Sequence, residues 1–477
     1  MNVPSLVFFV FAALVVSMYQ LCPWALGRRL IFLAANLGFL WTYANSLEGL
    51  IPLAAFLALG YGALLAVRRG ASPTLFMTLL VVVVFAFVWL KRYTFLPQAS
   101  FVPFLYVTLG LSYIFFRVMH LIIDARDAGL PPVPVVSYLN YTLNFTTLVS
   151  GPIQRYQDFH KMETRERLRL DWIVTGQGIE RIIVGYFKVS VVSAALWSEH
   201  LRALHSFGTD VTTGERLLDG LSIALVYPIY LYFNFSGYID MVIGVAKFLG
   251  LELPENFNRP FSSENFIGFW SRWHITLSNW LKTYVYSPLL ITLMRRFPSQ
   301  RLEPYFGVFA FFVTFFLIGV WHGQTSVFVF FGLLQGLGVS LNKLYQIVMA
   351  NRLGRKGYRT LAANGLYRAC ARGLTFCWFA FTLFWFWSDW QQIGGIVDAL
   401  GLSTILLLCV VGLVGATLVL AAGEALRSAV LAVRIGGAPV VHSRYVRTVW
   451  DTGLMVVTVA LVVLLNAPAP DIVYKAF

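Results

Sequence analysis

The chain alternates long apolar runs with short polar closures. The runs near 4–22, 48–67, 73–90, 306–320, 327–347 and 402–421 carry almost no charge. A membrane-spanning helix needs about 17–25 mostly apolar residues. These runs are continuous, unlike the roughly 10-residue alternating segments of a membrane barrel. The pattern predicts an all-α polytopic membrane protein. It would have about eleven transmembrane helices, plus re-entrant or interfacial helices, in a single domain over residues 1–477. The first apolar run, Val7–Leu21, has no basic residues before it and no small-residue cleavage site. It reads as a retained span rather than a cleaved signal.

Positive charge between the runs sets the expected topology. Arg28-Arg29, Arg68-Arg69, Arg295–Arg301, the acid-free stretch from Arg352 to Arg372, and Arg427–Arg447 mark cytoplasmic loops. The alternation then places the N-terminus and the C-terminus outside. A stretch at 197–216, with His200, His205 and Asp210, reads as a solvated outer loop.

Three stretches break the apolar pattern. Tyr138–Ile153 holds Asn140, Asn144, Thr146 and Thr147 and ends at Ser150-Gly151-Pro152. It is too polar to face lipid and reads as a re-entrant or cavity-lining element. Residues 155–170 mix basic and acidic side chains as an amphipathic surface helix or loop. The third stretch, 234–342, gathers His, Asp, Arg and Asn inside an otherwise apolar chain, and such groups in membrane segments mark functional sites. In it Asp240 is either a helix cap, a paired structural charge or a site residue. An Asn-rich turn follows between Pro254 and Pro260. Phe266–Tyr286 is then read as one amphipathic, interfacial or in-folded segment, with Trp270, Arg272, Trp273, His274, Trp280 and Tyr284. His322 stands between two apolar runs, beside Trp321 and Gly323. A buried neutral imidazole is the usual general base for a hydroxyl nucleophile. No P-loop, G-x-S-x-G elbow or H-E-x-x-H is present in the sequence.

Composition sharpens this picture. Hydrophobic residues make up 58% and charged residues 12% of the 477, too apolar for a soluble globular protein. The net charge of +14 is assigned to loops that face anionic lipid headgroups, not to nucleic acid. Cys22, Cys370, Cys377 and Cys409 lack metal-ligand spacing and read as small hydrophobes; no metal is expected.

The same stretches resemble a known family. Leu148-Val149-Ser150-Gly151-Pro152-Ile153-Gln154-Arg155-Tyr156, Phe235-Ser236-Gly237-Tyr238-Ile239-Asp240-Met241, Pro254-Glu255-Asn256-Phe257-Asn258-Arg259-Pro260-Phe261, Phe269-Trp270-Ser271-Arg272-Trp273-His274 and Gly319-Val320-Trp321-His322-Gly323 span a motif core of about 100–345. They are similar to the membrane-bound O-acyltransferases, in the bacterial branch that includes alginate O-acetylation and teichoic-acid D-alanylation proteins. The resemblance implies helices around a central tunnel. It implies a thioester acyl donor from the cytoplasm (acyl-CoA or the phosphopantetheine of an acyl carrier protein), with no tightly bound cofactor. The acceptor would be a hydroxyl of an extracytoplasmic envelope polymer or of a relay protein, and the location a bacterial cytoplasmic (inner) membrane.

On this resemblance His322 takes the catalytic position and His274 the supporting one. Asn258, Arg259, Arg272, Trp273, Asp240 and Trp321 are the candidate substrate-binding residues. His274, with Asn258 or Arg272, would orient the acyl group or stabilise an oxyanion. Tyr474, in the tail Tyr474-Lys475-Ala476-Phe477, would be a transient acyl relay. The chain departs from many relatives at Lys282-Thr283-Tyr284, at Gln335 and in Leu289–Arg295, which leaves the acyl group, acetyl or D-alanyl-type, and the acceptor open. The rival reading is a transporter or channel for a small polar or acyl-linked substrate.

Overall fold

A computed structural model describes the chain except for residues 1–2, 128, 166–169, 208–211, 436–437, 441–442, 466–469 and 471–477. The described residues form an all-α polytopic membrane protein. A two-residue antiparallel pairing, Arg434–Ile435 with Ala438–Pro439, is the one exception among them. Among the described residues, eight helical stretches are long and apolar enough to cross a membrane: Glu48–Arg68, Pro73–Leu90, Thr213–Phe248, Glu303–His322, Ser326–Ala363, Gly365–Trp387, Trp390–Ala432 and Tyr445–Leu464. The expected span near 4–22 corresponds to a shorter apolar helix, Leu6–Leu21.

The chain divides into two compact units. The first holds α1 (Leu6–Leu21), α2 (Ala25–Trp41), α3 (Ile51–Arg68), α4 (Pro73–Leu90), α5 (Leu111–Asp124), α6 (Val135–Thr142), α7 (Tyr156–Thr164) and α8 (Trp172–Phe187) up to Tyr186. The second begins with a π-helical turn, Lys188–Ser193, and α9 (Ala194–Ser206). Helix α10 (Thr213–Phe248) starts in the second unit and, from Phe235, belongs with the first. The second unit continues with α11 (Phe266–Trp270), α12 (Ile275–Leu281), a π-helical turn Lys282–Tyr286, α13 (Ser287–Arg296), α14 (Glu303–His322), α15 (Ser326–Ala363), α16 (Gly365–Thr382), α17 (Phe384–Trp387), α18 (Trp390–Ala432) and α19 (Arg444–Leu465).

In the first unit the semi-polar stretch 138–153 is α6 followed by irregular, buried backbone. Such backbone survives only if its carbonyls are satisfied. Arg117 of α5 does this. It donates Nη1 to the carbonyls of Tyr141 and Thr142 (3.2 and 2.8 Å) and Nη2 to the carbonyl and hydroxyl of Thr147 (2.7 and 2.6 Å). One turn on, His120 Nε2 accepts the N–H of Tyr156 at 3.1 Å. The Tyr141 hydroxyl gives its proton to the Gln154 carbonyl, so His120 Nδ1 carries the proton of the His120–Tyr141 contact. Arg117 and His120 thus frame this irregular, buried loop.

Helices α8 and α10 approach closely in this unit. A Cβ on Gly185 would lie 2.5 Å from the Gly237 carbonyl oxygen, and one on Gly244 would lie 2.7 Å from that of Gly178. Small residues allow this backbone proximity in membrane helices. Between these glycines Arg181 spans from Asp240 (Nε to Oδ1, 2.7 Å) to both oxygens of Glu255 (2.7 and 2.5 Å). Asp240 is therefore mid-helix and not a cap, and it is paired.

The second unit corrects three expectations. The stretch 197–216 is not all loop, because α9 runs through Ser206; Asp210 lies outside the described residues. Its charges form a helical face, with Arg202 bonded to Glu199 and Asp219. The basic stretch after Ala350 is also helical. Helix α15 kinks at Gly354 (φ 70°, ψ 161°) and continues to Ala363, since Arg, Lys, Leu and Ala all favour helix. Helix α18 likewise breaks at Gly401, which brings its membrane part to the expected start near 402. Finally, Phe266–Tyr286 is not one segment. It is cut at 271–274 and then passes into the π-helical turn.

Helices α14 and α15 pack closely. A Cβ on Gly319 would sit 2.1 Å from Gly332 Cα, and one on Gly323 would sit 1.9 Å from the Phe328 ring. The two helices meet backbone to backbone at Gly319 and Gly332, one turn before His322, and just after it the Phe328 ring lies against Gly323.

Candidate active site

The break at 271–274 builds the first half of the site. His274 is fully buried and left-handed (φ 44°, ψ 52°). A non-glycine residue there is strained by about 1–3 kcal/mol and persists only where its surroundings hold it. Two main-chain bonds do so: Asn258 N–H to the Arg272 carbonyl (2.9 Å) and Ile275 N–H to the Asn256 carbonyl (3.0 Å). The Asn-rich turn and the segment around His274 are thus laced together, with His274 between the two bonds.

Asn256 then fixes the imidazole. Its Oδ1 accepts from the Thr276 N–H (3.1 Å), the Thr276 hydroxyl (2.8 Å) and His274 Nδ1 (3.2 Å). A backbone N–H can only donate, so the Asn256 atom is the oxygen and His274 Nδ1 carries a proton. In the neutral ring the lone pair is left on Nε2. Burial pushes the His274 pKa well down, against its own backbone contact, so the ring is neutral; it lies outside the spanning helices.

Asn256→Ala strands these buried donors at about 1–3 kcal/mol each. We expect a lowered thermal midpoint and activity down at least about tenfold. Asn256→Asp keeps the acceptor and should retain the fold. Thermal unfolding in detergent, beside acyl-transfer rates, reads both, and an unperturbed Asn256→Ala protein would overturn the assignment.

Flanking residues hold this shelf. Trp273 is 1% exposed and packs on Phe257, Phe269 and Phe379 (5.1, 5.6 and 5.0 Å between ring centres). Arg272 donates to the Ser262 hydroxyl (2.6 Å). Buried Arg372 of α16 reaches the Ser262 carbonyl (3.2 Å), while Arg368 pairs with Glu264 (2.6 Å). Asn258 and Arg259 are exposed at the tip of the turn, and Arg259 is also left-handed.

The second half is the α14–α15 corner. His322 is 2% exposed at the last turn of α14, against Trp321, Phe331 and Phe386 (4.7, 6.0 and 5.2 Å). One stripe of α16–α17 serves both halves: Phe379 packs on Trp273, Thr382 bonds Gln335, and Phe386 packs on His322. Seven residues separate its ends, about 10 Å at helical rise.

The structure brings His274, His322, Trp273, Trp321, Arg272, Asn258 and Arg259 into one unit, and Asp240 belongs to the other. Tyr474 lies outside the described residues. Sequence reasoning quoted Asn256 without its role. It missed Arg181, Arg372 and Thr382, whose partners are 47 or more residues away, and nothing local signals them.

Comparison with known proteins identifies the family. The family described as MBOAT, membrane-bound O-acyltransferase family, matches residues 37–386. A teichoic acid D-alanyltransferase of Bacillus subtilis is 30% identical over 329 residues, 65% of this chain and 81% of that protein. A probable alginate O-acetylase of Azotobacter vinelandii is 28% identical, over 71% of this chain and 68% of its own length. A peptidoglycan O-acetyltransferase of Helicobacter pylori is 32% identical over 45% of this chain and 40% of its own. With its match reaching across both histidines, the chain belongs to the membrane-bound O-acyltransferase family and is a multi-pass membrane acyltransferase.

Proposed function

We propose that the protein moves an acyl group from a cytoplasmic thioester, on coenzyme A or an acyl carrier protein, to an extracytoplasmic hydroxyl of an envelope polymer or relay protein. The observation that carries this reading is the pair of buried imidazoles at the two ends of one stripe of α16–α17. By charge, the Arg295–Arg301 end of α14 is cytoplasmic and the His322 end faces outward. His322 then meets the acceptor and the His274 shelf the donor. His322 takes the hydroxyl proton as the oxygen attacks the thioester carbonyl. The tetrahedral intermediate expels the thiolate, which takes that proton back from the imidazolium.

His274, with its lone pair on Nε2, suits a hydrogen-bond donor. An oxyanion needs the reverse, so that part falls to Asn258 or Arg272. The substrates named for the relatives, teichoic acid, alginate and peptidoglycan, support a hydroxylated polymer of the envelope as the acceptor class. Mass analysis of envelope polymers with and without the chain is the test. The expected result is loss of ester-linked acyl groups in its absence. Unchanged acylation with altered solute uptake would favour a transporter.

A further inference from the structure

Gln335 is fully buried on α15, in the interface with α16. Its orientation is determined. The Thr382 hydroxyl gives its proton to the Phe379 carbonyl (2.7 Å) and so can only accept from Gln335, whose Nε2 donates to it at 2.9 Å. Gln335 Oε1 is left pointing elsewhere, buried and without a hydrogen-bond partner among the described residues. An orphaned acceptor in an apolar interface costs about 1–3 kcal/mol and calls for an explanation.

Its position supplies one. Phe331, four residues earlier on α15, and Phe386, four residues after Thr382, both pack on His322. Gln335 therefore sits one helical turn, about 6 Å, from the ring that flanks His322. The step runs along α15 away from the α14–α15 corner, which by the charge pattern is the cytoplasmic direction, the side of the thioester.

We propose that Gln335 Oε1 accepts a hydrogen bond from an N–H of the acyl donor, close to the reacting carbonyl. Two groups on such a donor carry that chemistry: the amine of an aminoacyl group, and the first amide of a pantetheine arm. A plain acetyl group offers none. Gln335 thereby becomes a specificity-determining residue, and the acyl class it favours is aminoacyl. The inference rests on the proposed use of a thioester.

Binding of two non-transferable pantetheine thioethers to the full-length protein tests it. One ends in a methyl ketone and the other in the corresponding α-amino ketone. Wild type should bind the amino ketone more tightly. Gln335→Met, of similar shape but without the acceptor, should lose about tenfold for it, the size of one hydrogen bond to a charged group. Thr382→Val frees the amide to turn and should lose less, which gives a second reading if Gln335→Met folds poorly. A loss confined to the amino ketone assigns the contact to the acyl amine; an equal loss for both places it on the arm amide and overturns the aminoacyl preference. Unchanged affinity for both ligands in a folded Gln335→Met protein overturns the proposal. Binding needs no turnover, so a failure of the enzymatic reading would show separately, as absent acyl transfer by wild type.

Discussion

Replacing His322 by Ala is expected to abolish acyl transfer while leaving the protein inserted in the membrane. Positioned general acid–base groups contribute roughly 10²–10⁴-fold to rate, and His322 is the buried imidazole at the last turn of α14. The ring also packs on Trp321, Phe331 and Phe386, so Ala leaves a cavity. His322→Gln controls for that by keeping most of the volume and removing the base. Both variants should lose ester-linked acyl groups from the envelope, and the Gln variant should keep the wild-type thermal midpoint. Full acylation by a well-expressed His322→Gln protein would remove His322 from the mechanism. His274 is a weaker target for such an experiment. Its left-handed backbone and its bond to Asn256 couple any substitution to the fold.

The second large effect is structural. Gly319→Val should prevent α14 and α15 from closing, with a fall of several kcal/mol in stability and little protein recovered. Overpacking ordinarily costs about 1–3 kcal/mol because side chains adjust. Here the nearest atoms to a new Cβ are Gly332 Cα and N, at 2.1 and 2.2 Å, and backbone has nowhere to rotate. Gly415→Ala in α18 is the matched control, since nothing lies within 4 Å of its Cβ position. Detergent-solubilised yield and thermal midpoint, compared for the two variants, decide the matter. Equal stability would mean that the helix pair tolerates separation.

The apolar runs made the helical membrane class legible, because span length and lipid thickness are the same constraint. They also located the irregular stretch after α6, where polar residues cannot face lipid. What they could not show was how that stretch is held. Arg117, one charge within an apolar stretch, is a buried clamp on three carbonyls. The two histidines stood out as polar residues in apolar surroundings. The break at His274 did not, because the amphipathic pattern of 266–286 continues across it and a backbone reversal leaves no trace in hydrophobic periodicity. Asp240 shows the same limit. Its carboxylate was visible, but its partner Arg181 is 59 residues away. Gln335 was noticed only as a departure from relatives. Its meaning comes from a hydroxyl on another helix.

The lacing of the Asn-rich turn to the His274 segment bears on how the enzyme meets its substrates. Loops that close over ligands are joined to their surroundings by few bonds and spend part of their time open. The strand-like crossing at Asn256–Asn258, with Asn256 spending one oxygen on three donors, has the opposite character. It is a rigid anvil, already shaped before any substrate arrives. On the proposed reaction, turnover would then be timed by the arrival and departure of the two substrates, and not by rearrangement at the point of reaction.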